Sequence, residues 1–216
     1  MDPLRIAIAC VPLAAYMLLL GVVNLRRRPL VTSGGADLAT LGAALTGFVF
    51  VGPIELFRPD TLAAELGNFV WLFWLVFYWL SLALIVLVLR PRLVVYNASI
   101  DELRPAVAEA VSQVDPTARW AGDSVSLPKL GVQLHLEGFG VMRNSSLVSS
   151  GGEQNIEGWR KLRRAVERSV ATLHVRPNPR SISFFLLCTA LLSISLFSLM
   201  GDPLEVAKAW QEIFAF

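Results

Sequence analysis

The sequence predicts a membrane protein, an all-α bundle of four transmembrane helices with an inserted α+β domain. Hydrophobic residues make up 55% of the 216 residues and charged residues only 17%, a composition that argues against a soluble globule and against a disordered chain. Four runs contain no charged residue, and each is close to the 17 to 25 residues that cross a bilayer. The stretch between the third and fourth runs has the ordinary composition of a soluble domain.

The four charge-free runs set the domain boundaries. They cover residues 6–25, 38–54, 69–89 and 182–200. We expect residues 1–90 to hold transmembrane helices 1 to 3 and residues 91–180 to form the inserted domain. Residues 181–216 then hold transmembrane helix 4 and, at about 203–215, an amphipathic helix whose apolar residues recur at helical spacing.

Charges near the span ends predict the orientation of the chain. The segments between and after the spans alternate in net charge: +2 over 26–37, −2 over 55–68, +4 over 90–181 and −2 over 201–216. Because Lys and Arg beside a span favour the cytoplasmic side, we expect residues 91–180 in the cytoplasm and both termini outside. The protein would then be a multi-pass protein of a bacterial inner (plasma) membrane.

Small residues recur along the second span. Ala39, Ala43 and Gly47 follow one another at four-residue intervals, which places them on one face of a helix. Small side chains let two helices approach closely, and close packing favours association in lipid. We expect these three residues to form a helix-packing contact, although such spacings also arise by chance in membrane helices.

Glu55 directly follows the second span and has Arg58 as a nearby counter-charge. A carboxylate at membrane depth is a candidate ligand for a proton or a cation. Glu55 also lies near enough to the span end to reach headgroup water, where a charge costs far less than at the bilayer centre. It remains the candidate intramembrane acid of a small oligomeric transporter or channel.

Aromatic residues crowd the first half of the third span. Trp71, Trp74 and Tyr78 recur at helical spacing and define a candidate aromatic platform for a pigment, a quinone or a lipid. An interfacial aromatic belt and packing against neighbouring helices explain the same residues.

The inserted domain is predicted to have the order βαβββα, an antiparallel sheet with two helices on one face. Ser99 and Glu102 form a capping-box pattern that begins the first helix. The predicted strands are residues 93–96, 124–127, 132–137 and 141–148, and the second helix covers about 155–174.

The second of these helices carries a basic side. Arg160, Lys161, Arg164 and Arg168 lie opposite its apolar seam. Such a side contacts anionic lipid headgroups or an acidic partner; the alternative is a solvated surface with no ligand. Nucleic acid is not expected, because no known reading module accompanies the charge.

The sequence offers few candidates for catalytic or ligand-binding residues. The sequence contains no P-loop, dinucleotide-binding, metalloprotease or serine-hydrolase motif, so the spacings that place phosphates, metals or nucleophiles are absent. His135 and Glu137 share the polar side of a predicted strand and would serve a membrane-tethered enzyme or signalling module. Cys10 and Cys188 lie within spans, where they favour neither a disulfide nor a metal site.

These features predict a non-catalytic integral membrane subunit or scaffold, with no catalytic residue, no cofactor and no metal. Its helices would pack against lipid and other membrane proteins, in a hetero- or homo-oligomer, and its cytoplasmic domain would position a partner. A transporter or channel is the less favoured alternative, because four spans show no inverted repeat and no midplane charge. An enzyme or signalling module is the other.

Overall fold

A computed structural model describes residues 3–54, 69–140, 142–152, 154–201, 203, 206–208 and 210 of the chain. The chain divides into two compact units. We call them the helical unit, made of Met1–Leu20, Ala39–Leu87 and Ile182–Phe216, and the sheet unit, made of Gly21–Leu38 and Val88–Ser181.

Within the described ranges, four helices are long and apolar enough to cross a membrane, which supports the prediction of a multi-pass membrane protein. They are α1 (Pro3–Leu25), α2 (Gly34–Val49), α3 (Phe69–Val88) and α6 (Ser181–Gly201), and the candidate span that begins with α2 continues to Gly52. A π-helical turn, Phe50–Ile54, continues α2. Pro53 within this turn lacks the N–H that the next α-helical hydrogen bond would require.

The sheet unit is built on a six-stranded antiparallel sheet with the spatial order β1-β2-β6-β5-β4-β3. Its strands are β1 (Leu30–Ser33), β2 (Arg92–Tyr96), β3 (Arg119–Ala121), β4 (Ser124–Leu127), β5 (Val132–Phe139) and β6 (Asn144–Ser149). The two helices of the unit are α4 (Ile100–Val114) and α5 (Ile156–Ala171).

The structure corrects the predicted βαβββα order by adding two strands. The first, β1, comes from the segment between the first two spans and pairs with β2 along its whole length. The second, β3, is a three-residue edge strand with every side chain exposed, so it shows no apolar alternation. The last predicted strand begins at Asn144 instead of residue 141, and α5 ends at Ala171.

One apolar core lies between the sheet and the two helices. Side chains alternate along β5 as predicted, with Val132, Leu134 and Leu136 buried. The helices contribute Leu103, Val107, Ala110, Val111, Trp159, Leu162, Val166 and Val170 to the same cluster. Burying one such large side chain contributes about 1.5 to 3 kcal/mol before entropic costs, so this core holds the sheet unit together.

Gly158 lets α5 lie directly against the turn between β4 and β5. A Cβ atom at this position would lie 2.2 Å from the carbonyl oxygen of Leu130 and 2.8 Å from a methyl group of Val132. A backbone oxygen cannot rotate away as a side chain can, so the close approach requires glycine. Asn155 caps the same helix by accepting hydrogen bonds from the N–H groups of Glu157 and Gly158.

Candidate functional site

The basic face of α5 is the part of the sheet unit that the sequence singled out most clearly. We define it as Arg160, Lys161, Arg164 and Arg168, all of which are exposed. The apolar residues of α5 fix its orientation, because Trp159, Leu162, Val166 and Val170 must face the core and leave the opposite side to solvent. The three arginines recur every fourth residue and therefore stack along about 12 Å of the helix.

The charges of the basic face are not neutralised within the described part of the chain. The Nε atom of Arg168 donates to the carbonyl oxygen of Arg164 at 3.1 Å. The acid on this helix that forms an ion pair, Glu167, bonds to Arg163 at 2.7 Å instead. In the described residues no carboxylate lies within ion-pair distance of the four cations. The arrangement therefore offers four positive charges to an anionic ligand.

The face of the sheet opposite the core brings His135 next to a serine. The Nδ1 atom of His135 lies 3.0 Å from the hydroxyl of Ser124, its direct cross-strand partner. In enzymes with a serine nucleophile, a histidine beside the hydroxyl acts as the base. A third group normally orients that histidine. Among the described residues no carboxylate bonds to the His135 ring, and Glu137 pairs across the sheet with Ser146. The contact stabilises the strand pair as polar cross-strand pairs do.

A surface groove of about 510 Å³ lies beside the turn between β4 and β5. Its lining includes Gln133 and Gln154. The Nε2 atom of Gln154 donates to the carbonyl oxygens of Gln133 and Ser150, and its Oε1 atom accepts from the indole of Trp159 at 2.8 Å. The amide of Gln154 is therefore already bonded to the chain, and it ties the end of the sheet to α5.

Two buried asparagines, far apart in sequence, bond to each other in the sheet unit. Asn24 lies in the last turn of α1, and Asn178 lies three residues before α6. The Nδ2 atom of Asn178 donates to Oδ1 of Asn24 at 3.0 Å, and its backbone N–H donates to the carbonyl oxygen of Asn24 at 2.9 Å. We call this pair the asparagine clasp. Sequence reasoning missed it, since no local pattern links residues separated by 154 positions.

An ion pair supports the same segment of the chain. Arg143 donates to both carboxylate oxygens of Glu102, at 2.9 and 3.0 Å, and to the carbonyl oxygen of Arg176 at 3.0 Å. Burial raises the pKa of the Glu102 carboxyl, but hydrogen bonds from Ser99 and Arg143 and the charge of Arg143 outweigh it. The pKa therefore lies below its ordinary value of 4.5. The predicted capping box is confirmed, because Ser99 and Glu102 bond to each other's backbone N–H.

A Glu102→Gln variant is expected to be less stable than the parent at pH 7 by about 0.5 kcal/mol, because glutamine keeps the capping-box hydrogen bond but loses the partly exposed ion pair with Arg143. Because folding lowers this pKa, the carboxylate stabilises the fold above about pH 4.5 and ceases to do so as the pH falls through the folded-state pKa. Thermal unfolding followed by tryptophan fluorescence should show an equal difference between parent and variant at pH 7 and 5.5, and a smaller difference at about pH 3 to 4, below the unfolded-state pKa. Glu109→Gln, an exposed site on the same helix, serves as the control; an equal pH trend for both variants would contradict the assignment.

Within the helical unit, the small residues of α2 meet both neighbouring helices. A Cβ atom on Gly47 would lie 1.9 Å from the carbonyl oxygen of Ile8 in α1. A Cβ atom on Gly42 would lie 2.3 Å from a methyl group of Leu82 in α3. Of the other predicted packing residues, Ala39 is half-buried and Ala43 is exposed. The close contacts are thus made by glycines on two sides of α2.

The three aromatic residues of the predicted platform have separate neighbours. The Tyr78 hydroxyl donates to the carbonyl oxygen of Gly42 at 2.7 Å, across from α3 to α2. The ring of Trp71 lies 4.8 Å from the ring of Phe50, and the Trp74 ring contacts Phe73 and Phe77 edge-on. The three residues therefore contact different neighbours within the helical unit, while Phe73 and Phe77 beside them stay more than half exposed.

Several predicted sites lie outside the described residues. The two cysteines lie within them but form no disulfide with described residues. Glu55 lies outside them, as does most of the amphipathic helix predicted at about 203–215. Cys188 is buried and Cys10 half-buried, both as free thiols. Across the described ranges no three metal-ligating side chains converge.

The comparisons with known proteins give the chain no relative by which to interpret these surfaces. No family model, no curated protein and no solved structure matches it.

Proposed function

We propose that the protein is a non-catalytic integral membrane subunit or scaffold whose sheet unit binds an acidic partner protein through the basic face of α5. The observation that carries this proposal is the stack of exposed cations, with which no acid of the described residues forms an ion pair. In this proposal the four spans pack against lipid and other membrane proteins, and the sheet unit positions the partner.

The distribution of charge supports an acidic partner. The residues of the sheet unit sum to a net charge of +6, whereas those of the helical unit sum to −4. A positive surplus of this kind attracts negatively charged partners and speeds their association. Because Lys and Arg beside spans favour the inner side, the sheet unit would face the cytoplasm of a bacterium, with both termini outside.

The spacing of the arginines favours a binding surface over a merely solvated one. Like charges four residues apart destabilise a helix by about 0.2 to 0.5 kcal/mol per pair, and α5 contains two such pairs, Arg160 with Arg164 and Arg164 with Arg168. A helix that needed only solubility would alternate positive and negative residues along this side. A bound acidic partner would relieve the repulsion that the free helix carries.

An Arg164→Glu variant separates binding from folding. The glutamate would stand four residues from Arg160 and from Arg168, turning two repulsive pairs into two attractive ones, so the helix should become slightly more stable. Loss of a partner could then not be attributed to unfolding. We expect companions that copurify with the parent protein in mild detergent at stoichiometric amounts to fall at least tenfold.

The matched control is Arg119→Glu, which makes the same charge change on the exposed edge strand β3. It should retain the companions, and raising the salt concentration should release them from the parent protein. A lone, monodisperse monomer in mild detergent, or equal retention by both variants, would overturn the proposal.

A further inference from the structure

The asparagine clasp fixes the segment before α6 against the end of α1 by a complete set of hydrogen bonds. Besides its two bonds to Asn24, Asn178 donates from Nδ2 to the carbonyl oxygen of Met142 at 3.1 Å. Its own Oδ1 atom accepts from the backbone N–H of Arg180 at 3.1 Å. Both asparagines are almost wholly buried, at 3% and 2% exposure, so this polar contact is shielded from water. The clasp is therefore a fixed point of the sheet unit.

Two prolines and a second backbone bond restrict the clasped segment further. Pro177 and Pro179 stand on either side of Asn178, and each fixes its own φ while restricting the residue before it. The backbone N–H of Val175 donates to the carbonyl oxygen of Arg27 at 2.9 Å. Residues 175–180 thus run beside the residues that follow α1.

This arrangement brings together five arginines from two distant parts of the chain. We call them the arginine collar: Arg26, Arg27, Arg28, Arg176 and Arg180, all exposed. The guanidinium of Arg180 lies 3.9 Å from the sulfur of Met142. Within the described part of the chain, none of the five forms an ion pair. The collar is a concentrated positive site held on a rigid backbone.

Apolar side chains border the collar on α1. Val22 and Leu25, in the last turn of the helix, are 46% and 52% exposed, and Arg26 follows directly. A soluble anion or an acidic peptide would gain nothing from these two side chains. A phospholipid has both a charged phosphate and an acyl chain to offer. We propose that the arginine collar binds the headgroup phosphate of an anionic phospholipid, with the acyl chains against Val22 and Leu25.

The chemistry of the collar suits a phosphate diester. The planar guanidinium group donates two parallel N–H bonds to phosphate oxygens, and arginine remains charged at all relevant pH values. An additional negative charge at the membrane surface strengthens the attraction for every nearby cation. The clasp holds the arginine backbones in place, which reduces the entropy lost when the lipid binds.

The test uses the purified full-length protein in detergent, titrated with phosphatidylglycerol or phosphatidylcholine and read by native mass spectrometry. Arg176→Gln/Arg180→Gln should weaken phosphatidylglycerol binding about 30-fold, as expected from two lost cations near the surface. It should leave the weak binding of phosphatidylcholine unchanged. The control, Arg119→Gln/Lys129→Gln, removes the same charge at exposed positions outside the collar and outside the basic face of α5, and should bind phosphatidylglycerol within about threefold of the parent.

A second arm distinguishes a lipid from a free anion. Glycerophosphoglycerol, which keeps the phosphate diester and its single negative charge but has no acyl chains, should compete at least 100-fold more weakly than phosphatidylglycerol, because it buries no apolar surface. Equal competition would assign the collar to a soluble anion and overturn the lipid proposal. So would equal loss of binding in both double variants, which would show diffuse attraction by net charge.

The collar and the basic face of α5 are independent sites. Arg176→Gln/Arg180→Gln should retain the copurifying companions of the proposed function, and Arg164→Glu should retain phosphatidylglycerol. Failure of either proposal can therefore be told from failure of the other. Arg176→Lys/Arg180→Lys keeps the charge but loses the paired donors, so we expect it to bind phosphatidylglycerol a few-fold more weakly than the parent while folding normally.

Discussion

A Gly47→Ala substitution is expected to separate α1 from α2 and to lower the stability of the helical unit by about 1 to 3 kcal/mol, as overpacking a close contact does. The added Cβ atom would lie 1.9 Å from the carbonyl oxygen of Ile8 and 3.0 Å from the Cα atom of Ala9. Both are backbone atoms, so whole helices must move to relieve the overlap. Thermal unfolding of the purified protein in mild detergent measures the loss, and valine at the same position should lower the midpoint further.

Two other glycines of the same segment supply graded controls. A Cβ atom on Gly42 would meet the end of the Leu82 side chain at 2.3 Å, and this side chain can turn aside, so Gly42→Ala should cost less. A Cβ atom on Gly52 would meet no atom of the described residues within 4 Å, so Gly52→Ala should leave the unfolding midpoint nearly unchanged. Equal midpoints for the Gly47 and Gly52 variants would show that α1 and α2 do not make this contact.

Cysteines placed at Thr32 and Val94 are expected to form a disulfide in most molecules under mild oxidation. These residues are direct partners in the β1–β2 pair. Paired residues in an antiparallel ladder have Cα atoms about 4.5 to 5.5 Å apart, within the roughly 4.4 to 6.8 Å that a disulfide spans. The variant is made with Cys10→Ala and Cys188→Ala, and faster migration on a non-reducing gel reports the bridge.

The control pair is Thr32→Cys with His135→Cys. His135 lies on β5, three strands from β1 in the spatial order, which corresponds to about 14 Å. No disulfide should form between these positions. A missing bridge at Thr32 and Val94, or an equal bridge in the control, would mean that the segment between the first two spans does not join the sheet.

The four spans were predictable because each depends on one property, an uninterrupted apolar length, that the sequence displays directly. The alternation of apolar and polar residues along β5 and the capping box at Ser99 could be predicted for the same reason, since both are local patterns. Strand β1 could not be predicted, because a segment of four residues is too short for an apolar alternation that would distinguish it from a loop. Its structure depends on pairing with β2, which lies about sixty residues later in the chain.

The candidate sites divide in the same way. The basic face of α5 follows from helical spacing and was predicted as a set. The packing glycines were predicted in part, because spacing identifies a stripe but not which neighbour it meets, and Gly42 makes its contact from another side of α2. The asparagine clasp and the contact of Ser124 with His135 depend on tertiary structure and strand register, so a single sequence gives no signal for them.

The position of strand β1 in the chain determines when the sheet can be completed during synthesis. The ribosome delivers this strand before the second and third spans, and its partner β2 follows both of them along the chain. The pairing of β1 with β2 can therefore form only after the second and third spans have been synthesised. A fragment cloned from residue 90 onward would leave the backbone of β2 uncovered along one side, and uncovered strand edges recruit other chains.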